Sequence, residues 1–369
     1  MHVLDMTRVN IKKFSLTNLT IFVFLLLLVA SCMPKETKTV KRKNSPRIKK
    51  EINLITPKLG SVFPLDTIIL FTLEHKKDHL IDSILLEGDG KSKTFTGNRF
   101  EWQPERFRTG NPQISLTAYF KDKKEKIYPK ITFVSNLNPT RYTYEVVNTY
   151  PHNEKSYTQG LFFENEYLYE STGHRGSSTI GKYDLVSGEV IQMANIENKY
   201  FGEGATSWKE TIFQITWESQ IAFAYDKDLN RTRTFNYSGE GWGLATWGDT
   251  LVMSDGSENI YLLNPKDFSQ IDRLQVYHQT DKINFLNELE VIGNDLYANV
   301  YTTASDEIII IDLLTGRVKG VIDLMGLIDR SKYRGIDYVL NGIASYQNRL
   351  FVTAKWHPNL YEITLRKAQ

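Results

Sequence analysis

Between residues 139 and 369 one short pattern recurs five times: a glycine, an apolar residue, a polar turn and then an apolar strand. The copies are Gly160-Leu161 followed by Tyr167-Leu168-Tyr169, Gly204-Ala205 by Ile212-Phe213, and Gly243-Leu244 by Leu251-Val252-Met253. Glu288-Leu289 precedes Leu296-Tyr297-Ala298, with glutamate in the glycine's place, and Gly342-Ile343 precedes Leu350-Phe351-Val352. A second strand ending in a polar turn follows each, as in Ile309-Ile310-Ile311-Asp312. The 231 residues give about 46 per copy, the length of a four-stranded propeller blade. A blade buries its faces only against neighbouring blades, so the ring must close. Residues 141–149 are positioned to supply the strand that completes the last blade. The expected fold is all-β, with residues 139–369 forming a five-bladed β-propeller.

The chain ahead of the repeats divides in three. Arg8, Lys12 and Lys13 precede an unbroken apolar run, Ile21 to Ala30, too short for a membrane span of ~20 residues. The run ends in Val29-Ala30-Ser31-Cys32, small residues before a cysteine, as in the lipobox of bacterial lipoproteins. The similarity implies a lipoprotein signal peptide over 1–31, cleavage before Cys32 and lipidation of Cys32. Cys32 is the chain's one cysteine, so an intramolecular disulfide is excluded. Residues 32–50 carry a net charge of +7 and almost no apolar side chains, and read as a solvated tether. The expected location is the bacterial cell envelope, anchored to the membrane by lipid on the extracytoplasmic side. Lys and Arg total 45 against 43 Asp and Glu, a balance that does not suit a protein coating nucleic acid.

Residues 51–136 hold short alternating runs such as Thr67-Ile68-Ile69-Leu70-Phe71 and Ile114-Ser115-Leu116-Thr117-Ala118. Turns such as Glu87-Gly88-Asp89-Gly90 separate them. This pattern fits a small immunoglobulin-like β-sandwich, read as a spacer or docking module.

Within the repeats a few polar and aromatic residues exceed what the pattern needs. Glu203 lies between Gly202 and Gly204, either as a turn carboxylate in water or as an unshielded acid. Lys355 beside Trp356 is either a surface cation–π pair or a partly desolvated catalytic charge. Asn287 and Gln159 either donate to a ligand or cap turns. Trp217 and Trp242 either pack or wall a ligand site. His2, His75, His79, His152, His174, His278 and His357 show no zinc-binding spacing, and neither a nucleophile elbow nor a phosphate loop is present.

Several motifs occur in one order: Tyr157-Thr158-Gln159-Gly160-Leu161, Glu170-Ser171-Thr172-Gly173, Phe201-Gly202-Glu203-Gly204 and Ile215-Thr216-Trp217. Gly239-Glu240-Gly241-Trp242-Gly243-Leu244, Met253-Ser254-Asp255-Gly256-Ser257, Leu286-Asn287-Glu288-Leu289-Glu290, Ala298-Asn299-Val300 and Asn341-Gly342-Ile343-Ala344 follow. Over about residues 140–365 the chain resembles the plant and bacterial glutaminyl-peptide cyclotransferases (glutaminyl cyclases). The resemblance implies a five-bladed propeller that converts the N-terminal glutamine of peptides and proteins to pyroglutamate and releases ammonia, with no metal and no cofactor. It implies Glu203 as proton shuttle, Lys355 and Asn287 polarising the carbonyl or holding the substrate, and Gln159, Phe201, Trp217, Trp242 and Tyr301 lining the pocket. Two places depart from the family pattern. Tyr301 stands where the family has tryptophan. Thr353-Ala354-Lys355-Trp356-His357-Pro358 has alanine for glycine and its tryptophan one place early, which on a strand would turn Trp356 to the other face. The departures keep open an alternative, a non-catalytic surface propeller that binds peptides or glycans.

Overall fold

The computed structural model describes residues 50–88, 90–104, 108–331 and 338–368. The expected signal peptide, Cys32 and the tether up to residue 49 lie outside the described residues. Every regular element described is a β-strand, and no helix occurs among the described residues.

The first strands carry the alternation expected of half-buried sheets. Ile69–His75 buries Ile69, Phe71, Leu73 and His75 on one face. It lies between Ile52–Thr56 and Arg99–Trp102 in a three-stranded antiparallel sheet. Lys91–Thr96, Ser83–Gly88, Ile114–Phe120 and Lys123–Ile127 form a four-stranded antiparallel sheet. Ser61–Pro64 pairs in parallel with Ile131–Val134. One apolar core joins these sheets, with Phe71 stacked on Phe100 at 5.1 Å and Leu73, Ile84 and Leu116 fully buried.

From Thr158 onward the chain runs up and down in antiparallel four-strand sets. The first holds Thr158–Glu164, Tyr167–Thr172, Thr179–Tyr183 and Val190–Asn195. The second holds Gly202–Trp208, Thr211–Thr216, Ile221–Tyr225 and Arg231–Asn236, and the third Leu244–Trp247, Thr250–Ser254, Asn259–Leu263 and Gln270–Gln275. The next set, Leu286–Ile292 to Val318–Asp323, continues through Thr140–Pro151 into Asn359–Lys367, Arg349–Ala354 and Leu340–Tyr346, making one eight-stranded sheet. Thr140–Pro151 thus sits antiparallel to the C-terminal strand and, over Thr140–Tyr142, parallel to Val318–Asp323. The inner strands Thr158–Glu164, Gly202–Trp208, Leu244–Trp247, Leu286–Ile292 and Leu340–Tyr346 touch in sequence, and the last touches the first. The arrangement is all-β and propeller-like.

The recurring glycine is explained by this inner contact. A Cβ on Gly160 would lie 2.5 Å from Ala205 N, and one on Gly204 would lie 2.3 Å from Leu244 N. Only a residue without a side chain lets neighbouring inner strands approach so closely. Glu288, the exception in the repeat, reaches across the centre instead. Its carboxylate accepts from Leu161 N at 3.2 Å and Ile343 N at 2.7 Å, tying two other inner strands together.

Candidate active site

Four of the five inner strands share an irregularity near their first residues. Pairing jumps between Thr158 and Gly160, between Gly202 and Ala205, between Leu286 and Leu289, and between Leu340 and Ile343. Each jump is a bulge, which re-aims the side chains it contains. The bulges hold Gln159, Glu203, Asn287 and Asn341, so one backbone device delivers four polar groups to the same end of the molecule.

A second regularity delivers the walls. The residue after the second strand of a set donates its backbone N–H to the residue just before the first strand. Trp217 N donates to Phe201 O (3.0 Å), Tyr301 N to Phe285 O (2.8 Å) and Lys355 N to Val339 O (3.1 Å). Gly173 N does the same to Tyr157 O (2.8 Å).

These groups enclose a cavity of about 310 Å3 lined by Tyr157, Gln159, His174, Phe201, Glu203, Trp217, Trp242, Asn287, Tyr301 and Lys355. All eight residues singled out in the sequence are there. Tyr157 and His174 were not singled out. Tyr157 occupies the position before its inner strand that Phe201 occupies before the next, so aligning the repeats would have found it. His174 follows the repeat strand in a backbone conformation with φ of 88°, and no spacing rule points to it.

Lys355 is 2% exposed, which resolves its surface reading. Its ammonium lies 4.4 Å from the ring centre of Tyr157 and 4.8 Å from that of Tyr301, two π faces that favour a cation out of water. Its aromatic partners are therefore these tyrosines rather than its neighbour Trp356. The expected reversal of Trp356 does not occur. The strand ends at Ala354, Trp356 takes a positive φ of 58° in the following turn, and its ring packs 5.2 Å from both Tyr157 and His174. His357 is buried, with Nδ1 2.5 Å from Tyr338 OH and Nε2 3.0 Å from Tyr361 OH.

Glu203 is 5% exposed. Burial pushes its carboxyl well above the usual carboxylate range; the Lys355 charge and a hydrogen bond from Gln159 offset only part of this, and the charge of Glu240 adds to it. Gln159 is itself oriented: Asn341 Nδ2 donates to its Oε1 at 2.8 Å, which leaves the Gln159 NH2 to face Glu203. Ser171 Oγ donates to the Glu203 carbonyl and fixes the backbone beneath the carboxylate. Asn287 is 2% exposed, and its Oδ1 has no hydrogen-bond partner among the described residues. A buried acceptor of this kind at a cavity wall is provision for a donor that arrives with a ligand. Phe201 meets Trp217 at 5.8 Å and Trp242 meets Tyr301 edge-on at 5.8 Å, so the walls are aromatic.

The cavity thus offers a raised carboxyl, a buried cation and a waiting acceptor within aromatic walls. Residues 119–365 match the family model described as glutamine cyclotransferase. The chain belongs to the glutamine cyclotransferase family. The match starts at residue 119, ahead of the resemblance read from the motifs, which began at about residue 140. A glutaminyl-peptide cyclotransferase of Arabidopsis thaliana is 41% identical over 232 residues, which cover 61% of this chain and 72% of the relative. The crystal structure of Myxococcus xanthus glutaminyl cyclase superposes with a TM-score of 0.59 at 34% identity, covering 63% of this chain and all of that one. In this member of the glutamine cyclotransferase family, every residue that lines the cavity falls inside the matched segment.

Proposed function

We propose that the chain is a five-bladed β-propeller glutaminyl cyclase that converts the N-terminal glutamine of peptides and proteins to pyroglutamate and ammonia. The observation that carries the reading is the convergence of Glu203, Lys355 and Asn287 on one aromatic cavity. The α-nitrogen attacks the side-chain amide carbon, the new C–N bond forms, and the carbonyl electrons move to oxygen. Collapse restores the carbonyl and expels the side-chain nitrogen. Glu203 takes the proton that the α-nitrogen loses and gives it to the leaving nitrogen, so the carboxylate is regenerated and no water is consumed. Lys355 stabilises the oxygen as it gains charge. Asn287 Oδ1 accepts a substrate N–H, and Gln159, Phe201, Trp217, Trp242 and Tyr301 hold the bent side chain near the attacking nitrogen. The free α-amine titrates near ~8, so the buried carboxylate has only a modest task in keeping it neutral.

The same proposal places the enzyme in a bacterial envelope. Residues 1–31 are read as the signal, Cys32 as the lipid anchor, 32–50 as a tether and 51–136 as an immunoglobulin-like sandwich between anchor and propeller (139–369). Replacement Cys32→Ala should move the protein from the detergent fraction to the soluble one.

Purified protein incubated with glutaminyl peptides should release one ammonia per peptide, with the matching loss of mass. No ammonia above the buffer level, or full turnover by Glu203→Gln, overturns the mechanism. No step runs through a metal, so chelation by EDTA should leave turnover unchanged.

A further inference from the structure

One carboxylate outside the set above touches both indoles of the cavity. Glu240 Oε2 accepts from Trp217 Nε1 at 2.8 Å and from Trp242 Nε1 at 3.0 Å. The two tryptophans belong to different sheets: Trp217 follows the strand Thr211–Thr216, and Trp242 precedes Leu244–Trp247. Glu240 lies on the connection between the sheets, and that connection is pinned. Gly241 N donates to Trp217 O at 3.1 Å, Trp242 N to Ser254 O at 3.0 Å, and Tyr237 OH to Thr216 O. Arg175 lies over the Trp217 ring at 6.0 Å but directs its guanidinium to Glu218 at 2.9 Å.

An indole has one polar hydrogen, and the ring otherwise turns about two side-chain torsions. When both N–H groups converge on one carboxylate oxygen, the rings no longer turn independently. Hydrogen bonds to a carboxylate are among the stronger ones, and here two share an acceptor. Glu240 is exposed and is not among the residues that line the cavity.

We propose that Glu240 is a positioning residue that clamps Trp217 and Trp242 in the spacing that receives the glutamine side chain, and so sets substrate affinity rather than the chemical step. The inference rests on reading the cavity as a glutaminyl site.

The test compares wild type, E240A and E240Q in the full-length protein, using an N-terminal glutamine dipeptide amide as substrate. Glutamine keeps an oxygen that can accept both indole hydrogens; alanine keeps none. Both variants also remove the Glu240 charge that helps raise the Glu203 carboxyl, so kinetics are read on the plateau above the acid limb. There E240A should raise KM about tenfold or more with kcat within about threefold, and E240Q should recover most of the affinity. Near-ultraviolet circular dichroism of the free protein reads the rings directly: the tryptophan bands should weaken in E240A and persist in E240Q. An unchanged KM in E240A, an E240Q as impaired as E240A, or tryptophan bands unaltered by E240A overturns the clamp. A wild-type protein inert on glutaminyl peptides overturns the cyclase reading instead, and the dichroism still decides whether Glu240 holds the rings.

Discussion

Asn341 donates a 2.8 Å hydrogen bond from Nδ2 to Oε1 of Gln159, across 182 positions of sequence. The bond decides which end of the Gln159 amide meets Glu203. Its loss lets the amide turn and present an oxygen to a carboxylate. N341A should therefore lower kcat/KM about ten- to a hundredfold, the loss expected when a hydrogen bond to a charged group goes. Steady-state kinetics check this, and a companion Q159A should add little further loss, because both changes break the same chain of contacts.

Glu203 should govern the acid limb of the pH profile. Its carboxyl is held above the usual carboxylate range by burial, and the Lys355 charge pulls it partly back. The working form is the carboxylate, so kcat/KM should rise with pH through that raised value rather than through the ordinary one. Removing the cation with K355M takes away the downward pull and should move the limb to higher pH. Glu203→Gln should lower kcat about 10²- to 10⁴-fold, the usual worth of a positioned acid–base group.

Asn287 separates binding from stability. Its Oδ1 is buried and lacks a partner among the described residues, a cost the folded chain carries without substrate. N287L removes that acceptor at similar volume. Thermal melting should show a variant more stable by ~1 kcal/mol, while KM for glutaminyl peptides rises about tenfold or more.

His357 gives the fold a pH dependence of definite sign. Burial, and then the nearby charge of His152, lowers its imidazole to about 4. The unfolded chain binds this proton more readily than the folded one. Stability from this group is thus complete above the ordinary imidazole value and is lost as pH falls from there towards about 4. Melting temperatures measured across that interval should fall more steeply for wild type than for H357Q.

Much of this site was legible in sequence because a repeat exposes its own exceptions. Glu203, Asn287, Gln159 and Lys355 stood out as polar residues the pattern did not need, and all four line the cavity. The bulges that aim three of them were not legible, since a bulge adds a residue to one strand without a distinctive residue type. Glu240 was hidden for a different reason: its partners, two indole N–H groups, come together only once adjacent sheets are assembled. Trp356 was misread because alternation was carried one residue past the end of its strand at Ala354. Burial of Lys355 depended on Tyr157 and Tyr301, which lie 144 positions apart and both face its ammonium.

The strand Thr140–Pro151 lies against Asn359–Lys367, and Asn148 Nδ2 reaches Glu362 Oε2 over 214 positions. The seam that completes the ring therefore joins a strand ahead of the repeats to a strand made after all of them. A polypeptide growing from its N-terminus holds Thr140–Pro151 without its antiparallel mate until Asn359–Lys367 has been made, and Lys355 joins the cavity only shortly before. Chains cut short before residue 355 lack both the seam and the buried cation, so every active molecule is one in which the ring had already been supplied with its closing strand.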